Sequence, residues 1–353
     1  MPLEPPQAPD RRRAILFTAL AILLTFAWAR FPSPFSGNLW VFFVCCATVL
    51  LAASRFRARH SPFVELGLLS FPIFDFFFFQ RIHPTARFAS VDQLLWVFDR
   101  SFGYPQIPLS KLFLAVPTLF ALCKLVWLSL PVMFAAAFLA LPVAARGRYL
   151  AAIVISAVLI LPFYAACPGA GPVYLFRESY PGAIPPLPHP HPTFLHPGIE
   201  LNTTPSGHLA WALLLFWFCF RHCRKPVAAV FAAVAFLIVI ATLGLGEHYA
   251  IDLVVAFPFA AAVWSLTGWQ WRRAAALLVL VAAWCIVLRQ GWLLAAPAPL
   301  VWTLSLATIA APAAGRFRLR LSAPGVPPTA WRPAASTGPA PERAASGAPA
   351  PLR

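Results

Sequence analysis

Two short stretches place ionisable residues at the start of apolar runs. The first reads TTPSGHLAWALLLFWF over residues 203–218, the second TLGLGEHYAIDLVVAFPF over 242–259. In the first, Thr204 suits an N-cap and Pro205 the first helical position, so a helix is predicted to start there with His208 in its first turn. Free N–H groups at such a helix end favour an anion, and Gly207 lets a ligand approach the backbone closely. Read alone, His208 is also compatible with an interfacial histidine beside a helix cap. In the second stretch His248 and Asp252 are four apart, a spacing that puts both on one helical face. Asp252 can then accept a hydrogen bond from one imidazole nitrogen and leave the other as nucleophile or base. An ionisable residue inside a membrane span is costly and points to function, more so with a partner one turn away. Two imidazoles, one oriented by a carboxylate and one on a helix N-terminus, suit in-line phosphoryl transfer. One attacks phosphorus and the other protonates the leaving oxygen. The equatorial oxygens then need Arg, Lys, a metal or backbone N–H groups around them.

The elements that must hold these residues are membrane helices. The chain has 353 residues, 60% of them hydrophobic and only 11% charged. Such a composition excludes a soluble globular class. About ten apolar runs are long enough to cross hydrocarbon. They lie near 14–29, 38–54, 63–79, 112–144, 149–166, 206–220, 226–245, 249–267, 273–288 and 292–312. The run at 63–79 holds Glu65, Pro72 and Asp75 and is the least regular. The run at 112–144 is too long for one crossing and carries Pro117, Lys124 and Pro131, so an interfacial helix leading into a span is expected there. The basic start followed by apolar sequence, without a clear cleavage site, reads as the first span rather than a signal peptide. Lys and Arg exceed Asp and Glu by 27 to 11. If every span is real, the clusters at 11–13, 55–60, 146–148, 221–225, 272–273 and 316–320 fall on one side, which the positive-inside rule makes cytoplasmic. Both termini are then cytoplasmic, and the net charge of +16 reflects orientation and anionic lipid rather than nucleic acid. The same counting starts the helices of His208 and His248 on the non-cytoplasmic side, so the two histidines share a depth. The charge count made no use of the histidines.

PSGH at 205–208 followed by GEHYAID at 246–252 resembles the type 2 phosphatidic acid phosphatase superfamily, in particular its inositol phosphorylceramide synthase and sphingomyelin synthase branch. CPGAGPVY at 167–174 is similar to the proline-rich segment which that branch has upstream of its serine motif, and WVFDRSFGYP at 96–105 to the loop ahead of its core helices. The resemblance covers roughly residues 90–265. It implies that His248 is the phosphorylated nucleophile, that Asp252 orients it and that His208 is the general acid, with no cofactor. Ser206, Gly207 and Tyr174 lie in these motifs and, with Arg177, form the expected substrate- and phosphate-binding set. Position 242 is Thr where phosphatase members carry Arg, and no KxxxxxxRP motif occurs in the membrane region. The synthase branch departs from those motifs too. Arg177, Arg100 and Lys124 are the candidate phosphate-binding cations by topology or depth, against a reading as interfacial anchors.

The expected fold is therefore all-α: a polytopic membrane helix bundle of about ten spans with a six-helix lipid phosphatase or phosphotransferase core. N-terminal transmembrane helices occupy 1–90, the catalytic core 91–267, further transmembrane helices 268–314 and a disordered cytoplasmic tail 315–353. The expected partners are a phospholipid donor, water or a lipid hydroxyl as acceptor, and the membrane itself. Alanine-, proline- and arginine-rich usage points to a GC-rich bacterial genome, hence an inner membrane with the site facing the periplasm or exterior. Two other readings stand beside this one: a zinc hydrolase using His208, His248, Asp252 and Glu247, and a transporter in which the His/Asp set relays protons. Glu247 tunes the charge of His248 or caps its helix; the sequence does not separate the two. The histidines of PHPHPTFLHPG at 188–198 read as a solvent-exposed loop or lid rather than a metal site. The seven cysteines mostly sit in apolar runs and form no CxxC pair, so neither a disulfide framework nor a thiolate metal site is expected.

Overall fold

The computed structural model describes residues 89–182, 184–195 and 199–321. The expected spans at 14–29, 38–54 and 63–79 and the tail beyond 321 lie outside the described residues. The chain divides into two compact units, Met1–Gly315 and Arg316–Arg353, and the contacts below lie within the first.

Twelve α-helices follow one another among the described residues: α1 (Asp92–Asp99), α2 (Gln106–Ala115), α3 (Pro117–Leu128), α4 (Leu130–Ala140), α5 (Val143–Leu159), α6 (Leu161–Ala166), α7 (Pro172–Phe176), α8 (Gly207–His222), α9 (Lys225–Gly244), α10 (Ala250–Thr267), α11 (Trp271–Gln290) and α12 (Ala298–Leu321). No strand accompanies them there; one isolated bridge pairs Ser90 with Thr193. Among the described residues, four segments are long and apolar enough to cross a membrane: Val143–Ala166, Lys225–Gly244, Ala250–Thr267 and Trp271–Gln290. The pair α2 and α3 makes a fifth if its bent path counts as one span.

The expected run at 112–144 is broken twice. α2 and α3 meet at 117° across Val116, and a second break at Ser129 precedes α4. Prolines cause both, since each stands at the first or second position of the new helix, where its missing N–H costs nothing and its ring ends the preceding helix. α8 and α10 form the centre. α9 lies along α8 and α11 along α10, while α5 packs against both central helices and α4 against α8. α1 packs against α10 and α11. Along α10, residues 253–256 and 258–263 are all buried, as expected of a helix apolar on every side that occupies the interior of a bundle.

The non-helical segments knit together at the end where α8 and α10 begin. Thr203 N–H donates to Gly169 O at 3.0 Å, Val91 N–H to Pro168 O at 2.8 Å and Val173 N–H to Gly246 O at 3.1 Å. Irregular backbone at such a place must find its partners inside the protein. Gly171 shows how close the segments come. Its φ is +113°, and a Cβ there would lie 2.6 Å from the carbonyl oxygen of Glu247. Gly171→Ala is therefore expected to destabilise the fold by about 1–3 kcal/mol from backbone conformation alone, with the clash added. Thermal unfolding in detergent reads the effect, and an unchanged midpoint would contradict it.

Candidate active site

The helix carrying His208 begins two residues later than the sequence pattern suggests. Ser206, not Thr204, is the N-cap, and its Oγ accepts from Leu209 N–H at 3.4 Å. Thr204 is unavailable because its hydroxyl donates to Asp252 Oδ1. His208 remains in the first turn. Its ring stacks on Trp127 of α3, with centroids 4.4 Å apart and planes at 15°. The Tyr164 hydroxyl fills the space over Gly207, where a Cβ would meet it at 2.8 Å. The glycine thus answers to the packing of α6 on α8.

His248 precedes its helix instead of lying on it, since α10 starts at Ala250 with Tyr249 as N-cap. It still meets Asp252: His248 Nδ1 lies 3.4 Å from Asp252 Oδ2. That is an ion-pair distance, but the groups are not aligned for a hydrogen bond, and Nδ1 has no formed partner. The expected hydrogen bond is displaced because Asp252 serves other donors. Oδ2 accepts from Tyr249 N–H at 2.8 Å, Oδ1 takes the Thr204 hydroxyl, and the Asp252 carbonyl accepts from Ser206 N–H at 3.1 Å. The other ring nitrogen, Nε2, faces Ser206 Oγ at 3.2 Å. The rings of His208 and His248 stand 6.3 Å apart between centroids. His208, His248, Asp252, Ser206 and Gly207 are thus brought together at the joined starts of α8 and α10.

The candidate cations are not brought to the pair. Arg100 points an N–H at Leu294 O at 3.4 Å, Lys124 lies over the Phe120 ring at 5.5 Å, and Arg177 is exposed on a short 3-10 turn. Thr242, at the position of the family's arginine, spends its hydroxyl on Ile238 O at 2.8 Å. Carboxylates lie nearby instead. Tyr174 OH donates to Glu247 Oε1 at 3.2 Å, and Asn202 Nδ2 to Glu200 Oε2 at 3.1 Å. Burial, with the charge of Glu247 second, pushes the Glu200 carboxyl up to about 7. Burial also raises Glu247, against the Tyr174 hydroxyl and the charge of His248. Among the described residues no three His, Cys, Asp or Glu side chains converge as metal ligands.

Four residues escaped the sequence reading. Trp127 holds the His208 ring, and its partner is 81 positions away. Asp92 and Asp99 are fully buried carboxylates in contact with the α10 turn, and Glu200 joins Glu247 near the histidines. An acidic residue inside an otherwise apolar stretch was the only signal, at Asp92 and Asp99.

The geometry of two histidines, a carboxylate behind one and a capping serine between them is what a comparison with known proteins can be set against. Residues 93–266 match the PAP2 superfamily. The match supports the type 2 phosphatidic acid phosphatase superfamily, without selecting a branch. No curated protein and no solved structure matches the chain significantly. Members of that superfamily are generally phosphatases or phosphotransferases, and the long apolar helices suit an integral membrane protein.

The raised carboxyls have a sign that can be checked. A carboxyl whose value is higher in the folded protein keeps protons that the unfolded chain releases, so its stabilisation is present at low pH and fades as pH rises. For Glu200 that window runs from its ordinary value of 4.5 to about 7. Thermal midpoints are expected to fall across this window, and Glu200→Gln is expected to flatten the fall. An equally steep profile in the variant would contradict the assignment.

Proposed function

We propose that this protein moves a phosphate or phospho-headgroup from a lipid through a phosphohistidine, with inositol-phosphate-type transfer favoured. The adjacency of His208 and His248, with Asp252 behind His248, is the observation that carries the reading. A proton on Nδ1, facing the Asp252 carboxylate, leaves the Nε2 lone pair free to attack phosphorus. Ser206 Oγ lies beside that nitrogen and can donate to a phosphoryl oxygen. The glycerol oxygen of the donor departs with a proton from His208, releasing diacylglycerol. A lipid hydroxyl then attacks the phosphorus, gives its proton to His208 and frees His248; with water in its place the outcome is hydrolysis.

Charge around the pair supports a phosphodiester donor over a phosphomonoester. The N-terminus of α8 is capped by a neutral serine, so no carboxylate at the cap offsets its positive end. A dianion would also have to sit near Glu247 and Glu200 with no arginine at position 242. A monoanionic diester is repelled less, and the carboxylates, Asn202 and Tyr174 supply hydrogen-bonding groups of the kind that bind a polyol headgroup. α8 and α10 run from the histidines to the basic turns at 221–225 and 272–273, which supports a site on the non-cytoplasmic face, periplasmic or external in a bacterial inner membrane.

The protein in liposomes containing phosphatidylinositol or phosphatidic acid, with and without ceramide or diacylglycerol, is expected to form a new phospholipid only when an acceptor lipid is present. His248→Ala is expected to abolish turnover, and His208→Ala to slow it by about 100- to 10,000-fold. Turnover that survives His248→Ala would sink the mechanism, and soluble phosphate or headgroup phosphate released without an acceptor lipid would mark a hydrolase.

A further inference from the structure

The helix behind His248 caps itself only in part. Its first residues read HYAID, with Tyr249 at the N-cap, where a serine, threonine, asparagine or aspartate would normally accept from the first-turn N–H groups. Asp252 reaches back only to Tyr249 N–H. The next two donors go to a residue about 150 positions earlier: Asp99 Oδ2 accepts from Ala250 N–H at 2.7 Å and Oδ1 from Ile251 N–H at 3.3 Å. Asp99 is fully buried at the end of α1. A second α1 carboxylate, Asp92, is equally buried and accepts from the Tyr249 hydroxyl at 2.7 Å. Its carboxylate also accepts from Gly171 N–H at 2.8 Å and Ala170 N–H at 2.9 Å. Among the described residues neither aspartate forms an ion pair with Lys or Arg. Burying two carboxylates without cations is costly, so the backbone groups they hold must compensate.

Resting on the phosphohistidine reading, we propose that Asp99 is a positioning residue for phosphoryl transfer: it caps α10 from outside and so fixes the turn that aims His248, with Asp92 bracing the same turn through Tyr249. The three residues directly after His248 each have a backbone or side-chain donor held by a carboxylate, so the ring inherits its placement from α1. Burial and the nearby charge of Asp252 raise the Asp99 carboxyl well above its ordinary value, while the Ala250 N–H opposes the rise. Asp99→Asn keeps the shape but replaces one accepting oxygen by an amide that cannot accept, and removes the negative charge from the helix end.

Two readouts on the reconstituted full chain separate this proposal from the reading beneath it. Hydrogen exchange of a peptide covering 248–252 tests positioning without any turnover. Asp99→Asn is expected to speed exchange there while leaving peptides of α5 and α9 unchanged. Kinetics test the consequence: kcat is expected to fall by about 10- to 100-fold with KM within about twofold, and Asp99→Glu is expected to recover part of it. Unchanged exchange at 248–252, or a kcat equal to that of the unmodified protein, would overturn the proposal. So would a uniform rise in exchange across all peptides, which a merely structural role predicts. Activity retained in His248→Ala would overturn the phosphohistidine reading, and the exchange result would still decide whether Asp99 holds the turn.

Discussion

The two helix starts that present the histidines are joined through Asp252. Its side chain accepts from Thr204 ahead of α8 and from Tyr249 ahead of α10, its carbonyl accepts from Ser206, and it faces His248. A single residue therefore sets the distance between a capping serine and an imidazole on different helices. Trp127 fixes the facing ring of His208, and the Cys167–Gly171 loop comes close enough to Glu247 that only glycine fits at 171.

The charge around this junction is unusual for a place expected to hold phosphate. Where arginines would be looked for, the protein offers Thr242, engaged with its own helix, and two glutamates whose carboxyls burial raises. Positive potential comes instead from oriented backbone, and the two helix ends differ in whether they still have it to give. The start of α10 is occupied by the carboxylates of Asp99 and Asp252. The start of α8 is met by the neutral hydroxyls of Ser206 and Tyr164. That contrast favours the start of α8, beside Ser206, over the start of α10 as a place for an anion.

How far the sequence reveals this depends on the range of each interaction. The long helices α5, α8, α9, α10 and α11 fall on apolar runs of the sequence because run length is a local property, whereas the single run at 112–144 is broken at Val116 and Ser129. The pairing of His208 with His248 follows from counting charges along the loops, which fixes the direction of each helix. The choice of cap does not follow, because Thr204 and Ser206 are both good N-caps and the decision is made by Asp252, some fifty residues away. Asp99 is harder still. Its role is to accept from the Ala250 and Ile251 N–H groups, and nothing along the chain says that this acceptor comes from α1. Glycine was readable as a mark of close approach, but at Gly207 the group filling the space is Tyr164.

The anchoring of Asp92 has a consequence for where the functional unit begins. The similarity to PAP2 proteins starts at Gln93, one residue after this carboxylate. Asp92 is in turn held by the Ser90 hydroxyl, and Ser90 exchanges backbone hydrogen bonds with Thr193 at 2.7 and 2.8 Å. A fragment cut at the similarity boundary would keep both histidines and lose the brace beneath them. In terms of chain architecture, the hydrogen-bonded brace beneath the His248 turn starts no later than Ser90, ahead of the first residue of the similarity.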